Sequence, residues 1–241
     1  MGFIRSLFSS SRVNAVVLQA FNITPRMRRL VLGGPEIAAW LGNNEDARVP
    51  ASCVKVTPEG RSTRVYTIRR IDEAEATLHI DFALHGNGED SGTVSDWARF
   101  AKPGDRVDIH GPRKVGYHLF PDSKWLWLAA DVTALPAAQS IMESLPQGID
   151  VHGLFAVHDS EEQQAIQSAA NLHINWVYAQ SSPKDCGPDK LPDARTPGQV
   201  LIAGESDWVK SWRAFWLNER QIESRRVDAK GYWKRGVRGR H

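Results

Sequence analysis

The chain has 241 residues, of which 41% are apolar and 24% charged, with a formal net charge of +2. That length suits two ordinary domains better than one, and the composition is that of a well-packed globular protein. A chain so near neutrality carries no overall field for nucleic acid, although residues 225–241 are locally basic.

Cysteine and histidine usage narrows the chemistry. Cys53 and Cys186 are far apart and neither belongs to a CxxC or Cys/His set, so a disulfide framework, an iron–sulfur cluster and structural zinc are poorly supported. The histidines at 79, 85, 110, 118, 152, 158, 173 and 241 show no HExxH or other close ligand spacing, and no protein-bound metal is expected. The start, Met1 to Ser6, lacks the long apolar core of a signal peptide, and no later stretch approaches the roughly 20 apolar residues of a membrane span. These features predict a soluble protein of the reducing cytoplasm.

In chain order, short apolar runs broken by turn residues predict strands at 13–21, 27–32, 53–57, 63–69, 76–84 and 106–109, spaced as in an antiparallel barrel. One helix is expected at 94–100, closed by Lys102-Pro103-Gly104-Asp105. After Gly111-Pro112-Arg113 the pattern changes. Apolar runs at 125–130, 151–157, 174–178 and 200–203 alternate with segments of helical period, the logic of a parallel α/β sheet. Leu135, Ala138, Ile141, Met142 and Leu145 share one helical face behind Thr133 as N-cap, and Trp208, Trp212, Phe215 and Trp216 share another. The boundary falls near 114–123, dividing the chain into domains 1–118 and 119–241.

Arg64-Val65-Tyr66-Thr67-Ile68-Arg69 places two guanidinium groups, a phenol and a hydroxyl in one strand. A flavin site would use this polarity, with Tyr66 stacked on the ring, Thr67 at its polar edge and an arginine on phosphate. An edge strand with solvated arginines explains the segment equally well. Next, Asp81-Phe82-Ala83-Leu84-His85 ends a strand, a glycine-rich turn runs from Gly86 to Gly92, and a helix opens at Thr93-Val94-Ser95-Asp96-Trp97. Amides at a helix start can cradle phosphate. The glycine spacing is not GxGxxG, so a Rossmann fingerprint is excluded, and an ordinary strand-to-helix connection remains the commoner explanation.

The ordered set of motifs resembles the siderophore-interacting protein family of FAD-containing ferric-siderophore reductases, which are related to ferredoxin reductases. Its signs here are 64–69, 81–86, 92–98, Pro103-Gly104-Asp105, Gly111-Pro112-Arg113, 131–137, Ala203-Gly204-Glu205 and Gly231-Tyr232-Trp233-Lys234-Arg235-Gly236. The resemblance implies a six-stranded antiparallel FAD-binding β-barrel followed by a parallel α/β nicotinamide-nucleotide-binding domain whose C-terminal segment returns to the flavin. It assigns Arg64, Val65, Tyr66, Thr67, Asp81, Phe82, Ala83, Leu84, His85, Gly92, Thr93, Val94 and Ser95 to FAD, with Tyr232 and Trp233 covering the cofactor. Thr133, Ala134, Gly204 and Glu205 would line the NADPH or NADH site, and Lys55, Lys234 and Arg235 would meet an anionic ferric siderophore. Two positions depart from the family pattern: Asp96 stands where arginine is common, and Lys234 where arginine is usual.

The activity so implied is electron transfer from NADPH or NADH, or from reduced ferredoxin, through FAD to iron(III)-siderophore, with no side chain acting as acid, base or nucleophile. Lys230, Arg238 and Arg240 would extend the basic mouth, and Arg225 and Arg226 suit either a 2′-phosphate or a solvated helix end. Two alternatives share the features: a general NAD(P)H-dependent flavin or quinone reductase, and a non-catalytic siderophore carrier.

Overall fold

A computed structural model of the chain describes residues 12–85, 93–113, 116–178 and 191–237. The glycine turn 86–92 with its Gly92 position, Cys186, and the tail arginines Arg238 and Arg240 lie outside the described residues.

The first domain is built from β1 (Arg12–Thr24), β2 (Met27–Gly33), β3 (Cys53–Pro58), β4 (Arg64–Thr67), β5 (Arg70–Asp72), β6 (Thr77–Ala83) and β7 (Arg106–Arg113). They hydrogen-bond in the order β4-β3-β7-β1-β2-β6-β5, all antiparallel. The strand expected at 63–69 is β4, and the chain runs on from it into β5, which pairs at the opposite end of the sheet. At the crossing, Ile68 N–H donates to Ser52 O over 2.8 Å and Arg69 N–H to His79 O over 2.9 Å. One continuous segment therefore closes the expected six-stranded barrel, which removes the free edges of an open sheet. Leu30 and Leu32, Val54 and Val56, Leu78, Ile80 and Phe82, and Val107 and Ile109 alternate along their strands into one core.

Helix α1 (Pro35–Asn43) was not anticipated. Its cues were local: Pro35 opens the first turn, and Ile37, Trp40 and Leu41 fall on one buried face. Trp40 Nε1 donates to Gly111 O over 2.9 Å, tying the helix to β7. Helix α2 (Val94–Phe100) forms at the expected residues, with Thr93 Oγ1 accepting from Asp96 N–H at 3.0 Å.

The second domain holds β8 (Trp125–Asp131), α3 (Leu135–Ser144), β9 (Asp150–Ala156), β10 (Asn171–Val177), β11 (Gly198–Glu205), α4 (Ser206–Ala214) and β12 (Val227–Trp233). The five strands are parallel in the order β10-β9-β8-β11-β12. β8 is buried on both faces, Leu126, Leu128 and Ala130 packing with α3 residues, and Trp125, Trp127 and Ala129 packing with α4 residues. The Trp127 ring lies 4.5 Å from Trp212 and 5.1 Å from Trp216, so the tryptophans of this layer form a core. The link from β9 to β10 carries a short 3-10 turn, Ser160–Glu162, where a helix was expected. The returning C-terminal segment is β12, a fifth parallel strand beside β11; its Asp228, Lys230 and Gly231 break the apolar alternation that marks a strand.

Buried polar bonds hold the domains together. Glu162, 1% exposed, accepts from Thr24 Oγ1 at 2.6 Å and from Arg26 N–H at 3.0 Å. Arg69, 8% exposed, donates from Nε to Gln139 Oε1 over 2.9 Å and from Nη1 to Glu143 Oε2 over 2.7 Å. Among the described residues no helix is long and apolar enough to cross a membrane.

Candidate functional site

The register of β3 with β4 divides the strand motif between two faces. Cys53 lies opposite Thr67, Val54 opposite Tyr66, Lys55 opposite Val65, and Val56 opposite Arg64. Opposed residues share a face. Val54 and Val56 are fully buried, so Arg64 and Tyr66 point to the core side, while Lys55, Val65, Cys53 and Thr67 form the outer side. The half-buried Tyr66 ring meets Phe82 at 4.4 Å, and burial pushes its phenol above the ordinary value. Tyr66 thus sits at the edge of the barrel core, and it is Val65 and Thr67 that share a face with Lys55.

Strand β12 crosses this outer side. Tyr232 is 43% exposed, and its hydroxyl end lies beside Thr67 and near Cys53. Burial of that end raises the phenol to about 12. The Cys53 thiol is likewise raised by burial, with Arg113 and Lys230 close enough to act in the opposite sense.

The other wall of the cleft is the carboxyl end of the parallel sheet. β8 and β11 are neighbours whose chains continue to opposite sides, which makes a topological switch point and a ligand crevice. Asp131, 3% exposed, organises it. Its Oδ1 accepts from Thr133 N–H at 2.9 Å and Thr133 Oγ1 at 2.6 Å; its Oδ2 accepts from Glu205 N–H and Trp233 Nε1, both at 2.8 Å. Glu205 caps α4, accepting from Asp207 and Trp208 N–H at 2.8 and 2.9 Å, and also from Arg235 N–H at 3.2 Å. Burial opposes its charge, but these three donors hold the carboxyl below its ordinary value. Gly204 has φ +141 and its added Cβ would lie 2.5 Å from the Asp131 carboxylate, so only glycine lets β11 pass there.

Thr133, Ala134, Gly204 and Glu205 are therefore brought together, and β12 joins them to Thr67. Asp81 and Phe82 are not. Asp81 is 3% exposed and takes both oxygens to Arg29, Nε and Nη2 donating over 2.6 and 2.7 Å; Phe82 is fully buried between Tyr66 and Trp97. Their side chains are engaged with Arg29 and with the barrel core, so any contribution to a cofactor surface would come from their backbone. Ala83 O accepts from Ser95 Oγ at 2.9 Å, Leu84 N–H donates to Arg26 O over 2.8 Å, and His85 is exposed at the strand end. Val94 and Ser95 are buried, leaving Thr93 at the surface of the helix start. Asp96 is turned inward, its Oδ2 accepting from Arg61 Nη1 at 3.2 Å, so the departure from arginine is paired within the barrel domain.

Of the expected basic mouth, Lys55 and Arg235 are exposed, while Lys234 lies 3.5 Å from Asp207 and Lys230 3.2 Å from Asp228. Arg225 and Arg226 precede β12, at the opposite end of the sheet from Asp131; Arg225 pairs with Glu223 and Arg226 with Asp122. Their position excludes a 2′-phosphate contact in the switch-point crevice. Among the described residues no three of His, Cys, Asp and Glu gather as a metal-ligating cluster. Sequence reasoning did not assign Asp131, Cys53 or Arg113 to the site. A buried aspartate ending an apolar strand before Thr133 was the available cue for the first; the other two become visible only through the register of β3 with β7, which pairs Cys53 with Arg113.

A closed antiparallel barrel followed by a parallel sheet with its crevice facing the barrel defines a ferredoxin-reductase-like, two-domain architecture. Two family descriptions match it: the siderophore-interacting FAD-binding domain over residues 53–116 and the siderophore-interacting protein over 123–236, together well over half of the chain. The chain belongs to the siderophore-interacting protein family. It is similar to the ferric vibriobactin reductase of Vibrio cholerae, 28% identical over 181 residues that cover 72% of this chain and 65% of that protein. The NADPH-dependent ferric-chelate reductase of Escherichia coli is 28% identical over 244 residues, covering 90% of this chain and 91% of its own length. The structure of this chain is similar to that of a siderophore utilization protein from T. fusca at a TM-score of 0.78, with 29% identity and 95% and 94% of the two chains covered.

Proposed function

We propose that the chain is an FAD-dependent reductase that draws reducing equivalents from NADPH or NADH and delivers electrons to iron(III) held in a siderophore, releasing iron(II) in the cytoplasm. The observation that carries this reading is β12, which sets Tyr232 against Thr67 on the barrel and Trp233 against Asp131 at the switch point. A single strand thus joins the face of the FAD-binding domain to the nucleotide crevice, as transfer between two bound cofactors requires. Similarity to the Vibrio ferric vibriobactin reductase and the Escherichia NADPH-dependent ferric-chelate reductase supports the ferric acceptor, and the latter supports NADPH.

The residues fit a flavin. Val65, Tyr232 and Trp233 are 47%, 43% and 40% exposed, an apolar and aromatic surface of the kind that marks a ligand site. When bound, FAD supplies the conversion of a two-electron donor into one-electron steps. Val65, Tyr232 and Trp233 would exclude water from the ring, and Thr67 would offer its hydroxyl to the polar edge. Arg64 and Tyr66 at the barrel rim, the strand end Ala83-Leu84-His85 and the helix start at Thr93 would hold the rest. Thr133, Ala134, Gly204 and Glu205 would receive the nucleotide, their backbone fixed by Asp131. Lys55, exposed and without an ion pair among the described residues, would draw the anionic chelate to this face, with Arg235 beyond it. Oxygen chelators prefer hard iron(III), so reduction weakens the complex.

The test is the visible spectrum of the purified protein, followed anaerobically on adding NADPH or NADH and then a ferric siderophore with an iron(II) trap. Flavin bands that bleach and return as trapped iron(II) accumulates are expected. A colourless protein that cannot be reconstituted with FAD would point to a carrier, and bound flavin that ignores the chelate to a reductase with another acceptor.

A further inference from the structure

Arg69 touches neither wall of the cleft, yet it is built into both. Its backbone is at the barrel seam, where Ile68 and Arg69 N–H groups are pinned to Ser52 and His79. Thr67 is two residues away, so a displacement at the seam reaches the flavin face within about 7 Å of extended chain. Its side chain leaves the barrel and closes on α3. Nε donates to Gln139, and Nη1 and Nη2 form a two-pronged bond to Glu143. Gln139 and Glu143 are four apart and share a helical face. α3 begins directly after Thr133 and Ala134, and at ~1.5 Å per residue Gln139 stands roughly 9 Å along the rod from Thr133.

The surroundings hold this guanidinium in one pose. Arg69 is 8% exposed and 3.9 Å from Asp81, which is itself gripped by Arg29. Gln139 Nε2 in turn donates to Gln164 Oε1 over 3.0 Å. Glu162 already anchors the domains through Thr24 and Arg26, on a connection that carries no residue of the cleft. Arg69 is different because the elements it clamps are those that bear Thr67 and Thr133.

We propose that Arg69 is a positioning residue that sets the spacing between the flavin wall and the nucleotide wall of the cleft, with Glu143 as its receiving group; this rests on the reductase reading above. The arginine fork matters as well as its charge, because two parallel bonds fix orientation and an ammonium does not.

Two variants test it. Glu143→Gln removes the charge from a residue whose side chain is 33% exposed, so the fold is retained, and Arg69→Lys keeps the charge but loses the fork. On each apoprotein the thermal midpoint, the FAD dissociation constant by fluorescence titration, and amide hydrogen exchange across 135–144 are measured. After loading, the rate of flavin reduction is followed over a range of NADPH and NADH concentrations up to saturation. Expected are an unchanged FAD affinity, faster exchange across 135–144, an unchanged dependence on nucleotide concentration, and a maximal reduction rate lower by on the order of tenfold. Glu143→Gln reduced as fast as the parent, or a slow rate traced wholly to weaker FAD binding, overturns the inference alone. A parent protein that takes electrons from neither nucleotide overturns the reductase reading, and this inference with it.

Discussion

Trp233 Nε1 donates a 2.8 Å hydrogen bond to Asp131 Oδ2, joining the end of the last strand to the end of the first parallel strand across 102 residues of chain. The same carboxylate also receives Thr133 and Glu205, so one buried side chain determines where three segments of the crevice stand.

Asp131→Ala leaves those donors without their acceptor and is expected to lower unfolding free energy by about 2–4 kcal/mol in urea melts. Gly204→Ala pushes a Cβ into the same carboxylate and is expected to be of similar severity. Because both act on one group, the double variant should lose clearly less than the sum of the single losses. Strict additivity would show that the two positions are independent.

The tryptophans divide by position. Trp212 is fully buried against Trp127, and Trp212→Ala should destabilise by about 3–5 kcal/mol. Trp233 is 40% exposed, and Trp233→Ala should change stability by less than about 1.5 kcal/mol, including its lost bond to Asp131, while shifting the absorption bands of bound flavin. Paired thermal melts and spectra separate the two outcomes.

Lys55→Glu places a negative charge beside Val65 on the outer barrel face. The expected result is a weaker dependence of rate on ferric-siderophore concentration, with half-saturation raised roughly tenfold at low salt and the gap narrowing as ionic strength rises. Rates with the variant that match the parent at every chelate concentration would remove Lys55 from the substrate path. FAD content should not change.

Two histidines make stability pH-dependent. Burial lowers His79, aided by Arg29 and Arg70, and burial lowers His152, aided by His173, whose ring lies 5.0 Å away. Each folded value lies below the unfolded value of about 6.5, so the unfolded chain binds a proton that the folded chain resists. Stability from these groups is present above that value and is lost as pH falls through it toward the lowered folded values. Thermal midpoints measured as pH is lowered through that value should fall less steeply for His152→Asn or His79→Asn than for the parent.

Much of the architecture was legible in local patterns. Period-two alternation at Leu30 and Leu32 or Leu78 and Ile80, the turn at Pro103-Gly104, and the shift to unbroken apolar runs at Trp125-Leu126-Trp127-Leu128 mark a barrel followed by a parallel sheet, because side-chain periodicity is a property of a few consecutive residues. The same local signals placed Thr67 in a strand and Thr133 at a helix start, while Gly204 and Glu205 were singled out by the family resemblance. What local pattern could not decide is which strand lies beside which, and so which way an alternating residue points. Tyr66 and Thr67 are neighbours in sequence, but only the closure of the barrel and its register with β3 turn the first toward Phe82 and the second toward Tyr232. Nor could local pattern show that Asp81 meets Arg29 and Arg69, or that Arg69 reaches α3 across the seam. These contacts join residues far apart in the chain, and their energies exist only when the whole core has closed around them.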